Sequence, residues 1–442
     1  VQGLAILVVG AHPDDVEIGA GGLIVRLLED GCDVRILVLT DDPVSGEIRR
    51  QEATEAAEAL GVPAARVYFA RFRDGELVAN RETVGALRKL MSSTGFSPEV
   101  IISHSRADSH NDHVQANALL HATFRRATFL GFSIHISAES SRFAPRFFSR
   151  LDDRLGRTKA AALACHRSQE RQIHGKSNLE EYERRLGELA TIDRAEAFEV
   201  EQQVDASDPW EWLLRFNDSP FHRLWLPIIG GSELWQFYEA FTGQPNSIAE
   251  WSTDHESRSR DMLRDAFNDK WIPTTPLHER TSNTPEAVRQ IASSHVMLVG
   301  GPVNNPLTRD TLNRFNEVRW IIEYGMPDRE PVFLLDKATG ERHFPEMRGG
   351  KLRRDLAVLS LLESPFNPTK YIIACAGITG AGTAGMVRFL ANPASSPDLS
   401  ALVQAFVNSR KKVLQVPMLV NVKNNHLERY GVPWIDGTES DD

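Results

Sequence analysis

The chain has 442 residues, with 50 Lys and Arg against 60 Asp and Glu and a formal net charge of -10. That length exceeds one ordinary core and predicts two or three domains. The acidic balance argues against a general nucleic-acid or anionic-membrane binder while leaving room for a local basic patch. Three widely spaced cysteines, Cys32, Cys165 and Cys375, argue against a disulfide framework or a cysteine zinc site. No apolar run approaches a membrane span. The sequence opens directly into its first strand without a basic, apolar leader, so the expectation is a cytoplasmic protein.

In chain order, residues 4–9 are an apolar run that reads as a buried strand, followed by helical periodicity over 18–29 and a helix stop at Gly31. A strand over 34–40, a helix over 47–60 closed by Gly61, a short strand over 66–70, a helix over 83–91, a strand over 99–103 and a helix over 112–125 come next. Edge strands over 132–136 and 143–148 and closing helices over 160–165 and 179–189 complete the first part. This alternation predicts an α/β fold, a Rossmann-like doubly wound and mainly parallel sheet with helices on both faces.

Past residue 200 the character changes. Residues 196–201 are acidic, and Trp210, Trp212, Trp225, Trp235 and Trp251 crowd into about forty positions. Such aromatics are either packing or a stacking platform for sugars or bases. Helical spacing at Trp210, Leu213 and Leu214 and over 234–241, with a stop at 242–245, predicts a helical Trp-rich linker over 201–280. A second, smaller α/β domain is expected over 281–435, ahead of an acidic tail over 436–442. Its expected elements are strands over 295–299, 332–335, 371–376 and 413–422, and helices over 312–322, 355–362 and 384–390. The turn Gly377, Gly380, Gly382 and Thr383 lies between a strand and a helix, where backbone N–H groups can hold an anion such as a nucleotide-like ligand. It lacks a P-loop lysine and the dinucleotide fingerprint, and close strand–helix packing explains the glycines equally. The Gly300-Gly301-Pro302 turn near Asn304 and Asn305 is as unspecific.

The chemistry concentrates at two strand exits. His12-Pro13-Asp14-Asp15-Val16-Glu17 follows the first strand, and His110-Asn111-Asp112-His113 follows the strand over 99–103. Adjacent carboxylates are costly in a low-dielectric place unless a cation or proton compensates them. In a parallel α/β sheet ligands gather at the carboxyl ends of strands, so these clusters can meet across one crevice. Catalytic zinc takes three protein ligands and keeps one position open. His12, Asp15 and His113 would supply two nitrogens and one oxygen, leaving Asp14, His110 and Asp112 for proton transfer and orientation. The bland alternative is a helix entry capped by aspartate, which leaves His12 and the second cluster unexplained.

The segment Ala11-His12-Pro13-Asp14-Asp15 with Glu17 resembles the signature of the PIG-L/LmbE-like zinc-dependent N-acetylglucosaminyl de-N-acetylases. His110-Asn111-Asp112-His113 resembles the family's second motif, with Asn111 where proline often stands. Glu47 to Glu52, with Arg49 and Arg50, resembles an arginine-containing helix start, and His166-Arg167-Ser168-Gln169 a late His-x-Ser-Gln element. The likeness covers about the first 190 residues. It implies a hydrolase of N-acylated amino sugars, with Zn2+ held by His12, Asp15 and His113 and Asp14 as general base. It further implies that His110 supports the oxyanion or the leaving amine and that Asp112 orients His110. Fe2+, Mn2+ or Ni2+ would also suit such donors. Arg49 and Asp41, beside the polar loop 40–46, are candidate substrate contacts. For Arg49 and Arg50 a solvated helix face competes with that role. His166, His104 and His121 read as structural, with His104 close to the site. The expected small-molecule partner is an N-acylated sugar or conjugate. A ligand-sensing effector, its C-terminal turn gating the amidase in a bacterial stress or defence system, is the alternative.

Overall fold

The computed structural model describes residues 3–134, 143–169, 177–202, 213–229, 235–239, 247–270, 272, 274–278, 294–301, 306–323, 332–365, 367–393, 397–409, 411–423 and 426–433. Two compact units meet in sequence at Leu226/Pro227.

In the first unit β1 (Ala5–Gly10) leads to α1 (Asp15–Glu29), β2 (Asp33–Asp41), α2 (Gly46–Ala59), β3 (Val67–Arg73), α3 (Arg81–Thr94), β4 (Val100–His104), α4 (Asn111–Thr123) and β5 (Thr128–Phe132). Then come β6 (Phe147–Arg150), α5 (Asp153–Leu163), α6 (Ser177–Ala190) and β7 (Ala195–Gln202), and the boundary between the units falls within α7 (Pro220–Ile229). The sheet order is β3-β2-β1-β4-β5-β7-β6, parallel from β3 to β5 and antiparallel at β7 and β6. Chain order reverses between β1 and β4, which opens the binding crevice of a doubly wound sheet there.

The strands are apolar runs because both faces are covered. Ile6 and Val8 face the cluster with Leu23, Ile24 and Leu27 of α1, while Leu7 and Val9 face the one with Leu87 and Met91 of α3 and Leu119 and Leu120 of α4. Gly31 and Gly61 close their helices at φ of +83° and +96°, where other residues are strained. The start of α1 is pinned by a buried charge. Lys159 Nζ donates to the Ile18 carbonyl and to Glu196 at 2.7 Å and lies 2.9 Å from Glu183. Glu196 in turn accepts the Gly22 and Leu23 N–H groups at 2.8 and 2.7 Å.

The second unit holds β8 (Trp235–Glu239), α8 (Ser247–Asp269), β9 (Thr274–His278), β10 (His295–Val299), α9 (Pro306–Leu312), β11 (Trp320–Glu323), β12 (Phe333–Asp336), β13 (Arg342–His343) and β14 (Glu346–Arg348). These are followed by β15 (Lys351–Ser364), β16 (Asn367–Gly377), α10 (Gly380–Ala391), α11 (Pro397–Val407), β17 (Val413–Lys423) and β18 (His426–Pro433). Its large sheet runs β18-β17-β15-β16-β10-β8-β9 with β14 on β15, and β11-β12-β13 form a small one.

Several expected elements differ. The helix over 355–362 is the interior of β15, a mostly apolar run whose period cannot separate helix from strand; antiparallel pairing with β16 and β17 on both sides decides it. The helix over 312–322 is the short α9 ending at Leu312 and then β11. Residues 235–239 and 274–278, expected within a helical linker, are β8 and β9 and extend the large sheet beside β10. The acidic stretch 196–201 is β7, in which Ala197, Phe198 and Val200 are buried and the glutamates take internal partners. The strand expected over 132–136 lies earlier, at β5, and the one over 143–148 is β6, Phe147–Arg150. The helix over 160–165 is the end of α5. Trp225 is buried in α7, which is packing and not a sugar platform. Trp210, Trp212, the stop at 242–245, Pro302, Asn304, Asn305 and the tail 436–442 lie outside the described residues.

Candidate metal centre and active site

The loop after β1 and the loop after β4 face each other at the switch point. His12 Nδ1 lies 3.3 Å from Asp15 Oδ2 and 3.3 Å from His113 Nε2, and His113 Nε2 lies 3.5 Å from Asp15 Oδ2. An ion bound tetrahedrally at 2.0–2.1 Å has its ligands about 3.3–3.4 Å apart. The three donor atoms therefore already stand at the edges of such a coordination sphere, with the donor chemistry of a divalent cation site. His110, His12 and His113 also bring nitrogens within 4.8 Å of one another, as do His12, Asp74 and Asp112 with their donor atoms.

Charge tells the same story. Burial opposes a protonated His12, yet the carboxylates of Asp15, Asp112 and Asp74 push it up to about 12. Burial equally opposes an ionised Asp15, yet His113, His104 and His12 hold it well below the usual carboxylate range. The protonated imidazole balances carboxylates that a bound cation would balance equally.

Partners fix the ring orientations. His113 Nδ1 is 3.0 Å from Asp108 Oδ2, which turns Nε2 inward. His113 also stacks on His104, with ring centroids 3.8 Å apart. The His12 Nε2 atom lies 3.2 Å from Asp74 and 3.5 Å from Asp112, leaving Nδ1 toward Asp15 and His113. His104, fully buried, places Nε2 3.0 Å from Asp15 Oδ2, and the Ala11 N–H points at the same nitrogen at 3.0 Å.

Asp14 is the N-cap residue of α1, but its carboxylate caps nothing. It sits 3.6 Å from Arg49, whose other guanidinium nitrogen is 3.6 Å from Asp74. Burial and then the charge of Asp15 raise the Asp14 pKa, with Arg49 opposing. His110, the exposed N-cap residue of α4, sets its ring 5.0 Å from that of His12 and 4.5 Å from that of His113. Asp112 is buried and accepts the Gly75 N–H at 2.8 Å; its carboxylate lies against His12, where the expectation had it orienting His110. Asp41 is engaged by Arg50, which also holds Glu47. Beneath this layer His166 Nε2 meets Glu17 at 3.3 Å, both buried, and Ser168 donates to Glu52 through N–H and Oγ at 2.9 and 2.6 Å.

Asp74, Asp108 and His104 were not among the expected site residues. Asp74 follows β3, a neighbouring strand exit, so the sheet-end rule that singled out Asp14 applies to it as well. Asp108 carries no motif signal; only the fold shows which imidazole it serves.

The glycine turn of the second unit is filled from within. Asp355 Oδ2, from β15, accepts the Thr379 N–H at 3.0 Å, the Gly382 N–H at 2.8 Å and the Thr379 hydroxyl at 2.5 Å. This carboxylate occupies the place an anionic ligand would take at the start of α10. The glycines serve contact: a Cβ on Gly377 would stand 2.2 Å from the Thr383 nitrogen, and one on Gly382 2.6 Å from Asp355. Nothing at Gly377, Gly380, Gly382 or Thr383 supports the expected nucleotide-like ligand.

Among the described residues no helix is long and apolar enough to cross a membrane. The model of the PIG-L family, described as GlcNAc-PI de-N-acetylase, matches residues 7–124. The diacetylchitobiose deacetylase of Thermococcus kodakarensis is 33% identical over 129 residues, 26% of this chain and 46% of that protein, so the match spans about half of that relative's length. The uncharacterized deacetylase YaiS of Escherichia coli is 30% identical over 173 residues, 37% of this chain and 90% of that protein. The solved structure of the conserved protein TT1542 from Thermus thermophilus aligns at a TM-score of 0.40 with 27% identity, covering 47% of this chain and 98% of that one. With its two motifs converging at the switch point and a relative matched over nearly its whole length, the chain belongs to the PIG-L family.

Proposed function

We propose that the first unit is a metal-dependent amidase that removes the acetyl group from an N-acetylated amino sugar or its glycoside. The observation that carries this reading is the triangle of His12 Nδ1, Asp15 Oδ2 and His113 Nε2, with edges of 3.3, 3.3 and 3.5 Å, beside an Asp14 that caps nothing. The names of the relatives, diacetylchitobiose deacetylase among them, support the substrate class.

His12, Asp15 and His113 would hold the ion. Zinc suits two imidazoles and one carboxylate, and Fe2+, Mn2+ or Ni2+ are accommodated by the same donors. When bound, such an ion polarises an amide carbonyl and acidifies water. Asp14 takes the proton from the attacking water; its raised pKa makes it a stronger base than an exposed carboxylate. Arg49 holds Asp14 and Asp74 in place, and its guanidinium is the candidate contact for the substrate. His110, exposed beside His12 and His113, donates a hydrogen bond to the developing oxyanion, and the proton taken up by Asp14 passes to the departing amine. Asp108 keeps His113 in the tautomer with Nε2 free for the metal.

The test is acetate release from N-acetylglucosamine and its methyl glycoside, with the metal content of the protein measured alongside. Activity should vanish on chelation and return on adding back a divalent ion. Undiminished hydrolysis by metal-free protein would overturn the reading.

A further inference from the structure

Among the described residues of the first unit, three large apolar side chains stand at least half exposed: Val44 at 95%, Ile48 at 58% and Val78 at 50%. Isolated exposed apolar residues need no explanation, but these are not isolated in the fold. Val44 is in the loop between β2 and α2, and Ile48 is in the first turn of α2, one residue before Arg49. Val78 is four residues beyond Asp74, in the loop after β3. Strands β2 and β3 are neighbours, with Asp41 opposite Arg73, and the Asp74 N–H donates to the Asp41 carbonyl at 3.2 Å. The three apolar side chains thus belong to two adjacent strand exits, the same two that bring Arg49 and Asp74 to the pocket.

Both loops are braced. Asp42 Oδ1 accepts the Val44 and Ser45 N–H groups at 2.8 and 2.6 Å. Beyond β3, Gly75 N–H donates to Asp112 at 2.8 Å, Ala79 N–H to Gln115 at 2.9 Å, and the Thr83 hydroxyl to the Val78 carbonyl at 2.7 Å. Three arginines beside these loops are engaged. Arg49 faces Asp14 and Asp74, Arg50 holds Asp41 and Glu47, and Arg73 pairs with Glu76 at 3.1 Å. The floor is polar, the charges of Arg49, Arg50 and Arg73 are matched by carboxylates, and Val44, Ile48 and Val78 are the exposed apolar side chains of these loops.

Resting on the deacetylase reading, we infer that Val44, Ile48 and Val78 form a specificity rim for an uncharged, apolar aglycone on the N-acylated amino sugar, as distinct from a phosphorylated one. The sugar sits at the polar floor, and the aglycone leaves the pocket across these side chains. A preordered apolar rim gains affinity without the cost of ordering a loop.

The experiment uses the full chain loaded with zinc and three substrates: the methyl and hexyl glycosides of N-acetylglucosamine and N-acetylglucosamine 1-phosphate. The hexyl glycoside should exceed the methyl one in kcat/KM by about ten-fold, chiefly through KM, if each of its extra methylene groups gains about a third of full burial. In the triple variant Val44→Ser, Ile48→Ser, Val78→Ser that ratio should fall to near one while the methyl glycoside keeps its kcat/KM. Calorimetric binding of both glycosides to Asp14→Asn protein reads the rim without turnover. Chain-length-dependent binding that the triple variant loses, with no turnover of any substrate by the wild type, supports the rim and sinks the deacetylase reading. Equal binding of methyl and hexyl glycosides, a ratio that survives the triple variant, or a preference for the 1-phosphate overturns the rim. So does a wild type that sediments as a dimer and a triple variant that is monomeric, because the apolar patch would then be covered by a second copy.

Discussion

Replacing Asp108 by Asn tests how the proposed metal centre is organised. Asp108 Oδ2 lies 3.0 Å from His113 Nδ1, and Oδ1 accepts the His110 N–H at 2.9 Å. Asparagine can keep the second contact through its carbonyl, but it then turns an NH2 donor toward His113. The imidazole answers by accepting at Nδ1 and carrying its proton on Nε2, the atom that faces His12 and Asp15. A protonated Nε2 cannot bind a metal. Loss of such an orienting carboxylate weakens metal affinity by about 10- to 100-fold, or about 1.4–2.8 kcal/mol. Stacking on His104 at 3.8 Å keeps the ring plane, so the loss is one of tautomer more than of position. Competition with a fluorescent zinc chelator gives the dissociation constant, and circular dichroism checks that the fold is intact. A folded Asp108→Asn protein with wild-type zinc affinity would refute the reasoning.

Three further outcomes are expected. Asp14→Asn should retain bound metal and lower kcat by about 10²- to 10⁴-fold, the usual contribution of a general base; turnover within a few-fold of wild type removes Asp14 from the mechanism. Lys159→Met leaves the buried Glu183 and Glu196 without their shared cation and should destabilise the first unit by about 3–5 kcal/mol. A shift below about 1 kcal/mol in chemical denaturation would contradict that. Burial pushes Asp355 up to about 6 from 3.8, despite its four hydrogen bonds from Thr379, Gly382 and Leu356. Because the folded-state pKa is the higher one, this contribution to stability is present below pH 4 and is lost as pH rises through about 6, by about 3 kcal/mol. Asp355→Asn should flatten that part of the pH profile in urea unfolding, and an identical profile in both proteins would show that Asp355 does not titrate there.

What the sequence determined by itself was the first unit's alternation and its two polar strand exits. A strand such as 5–10, apolar on both faces and followed by His12, Asp14 and Asp15, has few other places to be than a doubly wound sheet with chemistry at its carboxyl edge. Contact between residues about a hundred positions apart, His12 with His113, was an inference from that sheet rule; the strand order β2-β1-β4 is what realises it. Which partners the remaining groups meet was decided in three dimensions. Asp112 belongs to His12, Asp108 to His113, and Asp41 to Arg50, because which carboxylate meets which cation depends on loop paths that local pattern does not encode. The second unit was least legible for a related reason. Its long strand β15 is buried over eight successive positions, and only pairing with β16 and β17 excludes a helix. Its glycine turn advertises an anion site that a distant aspartate already fills, since an internal carboxylate and an external phosphate satisfy the same backbone donors.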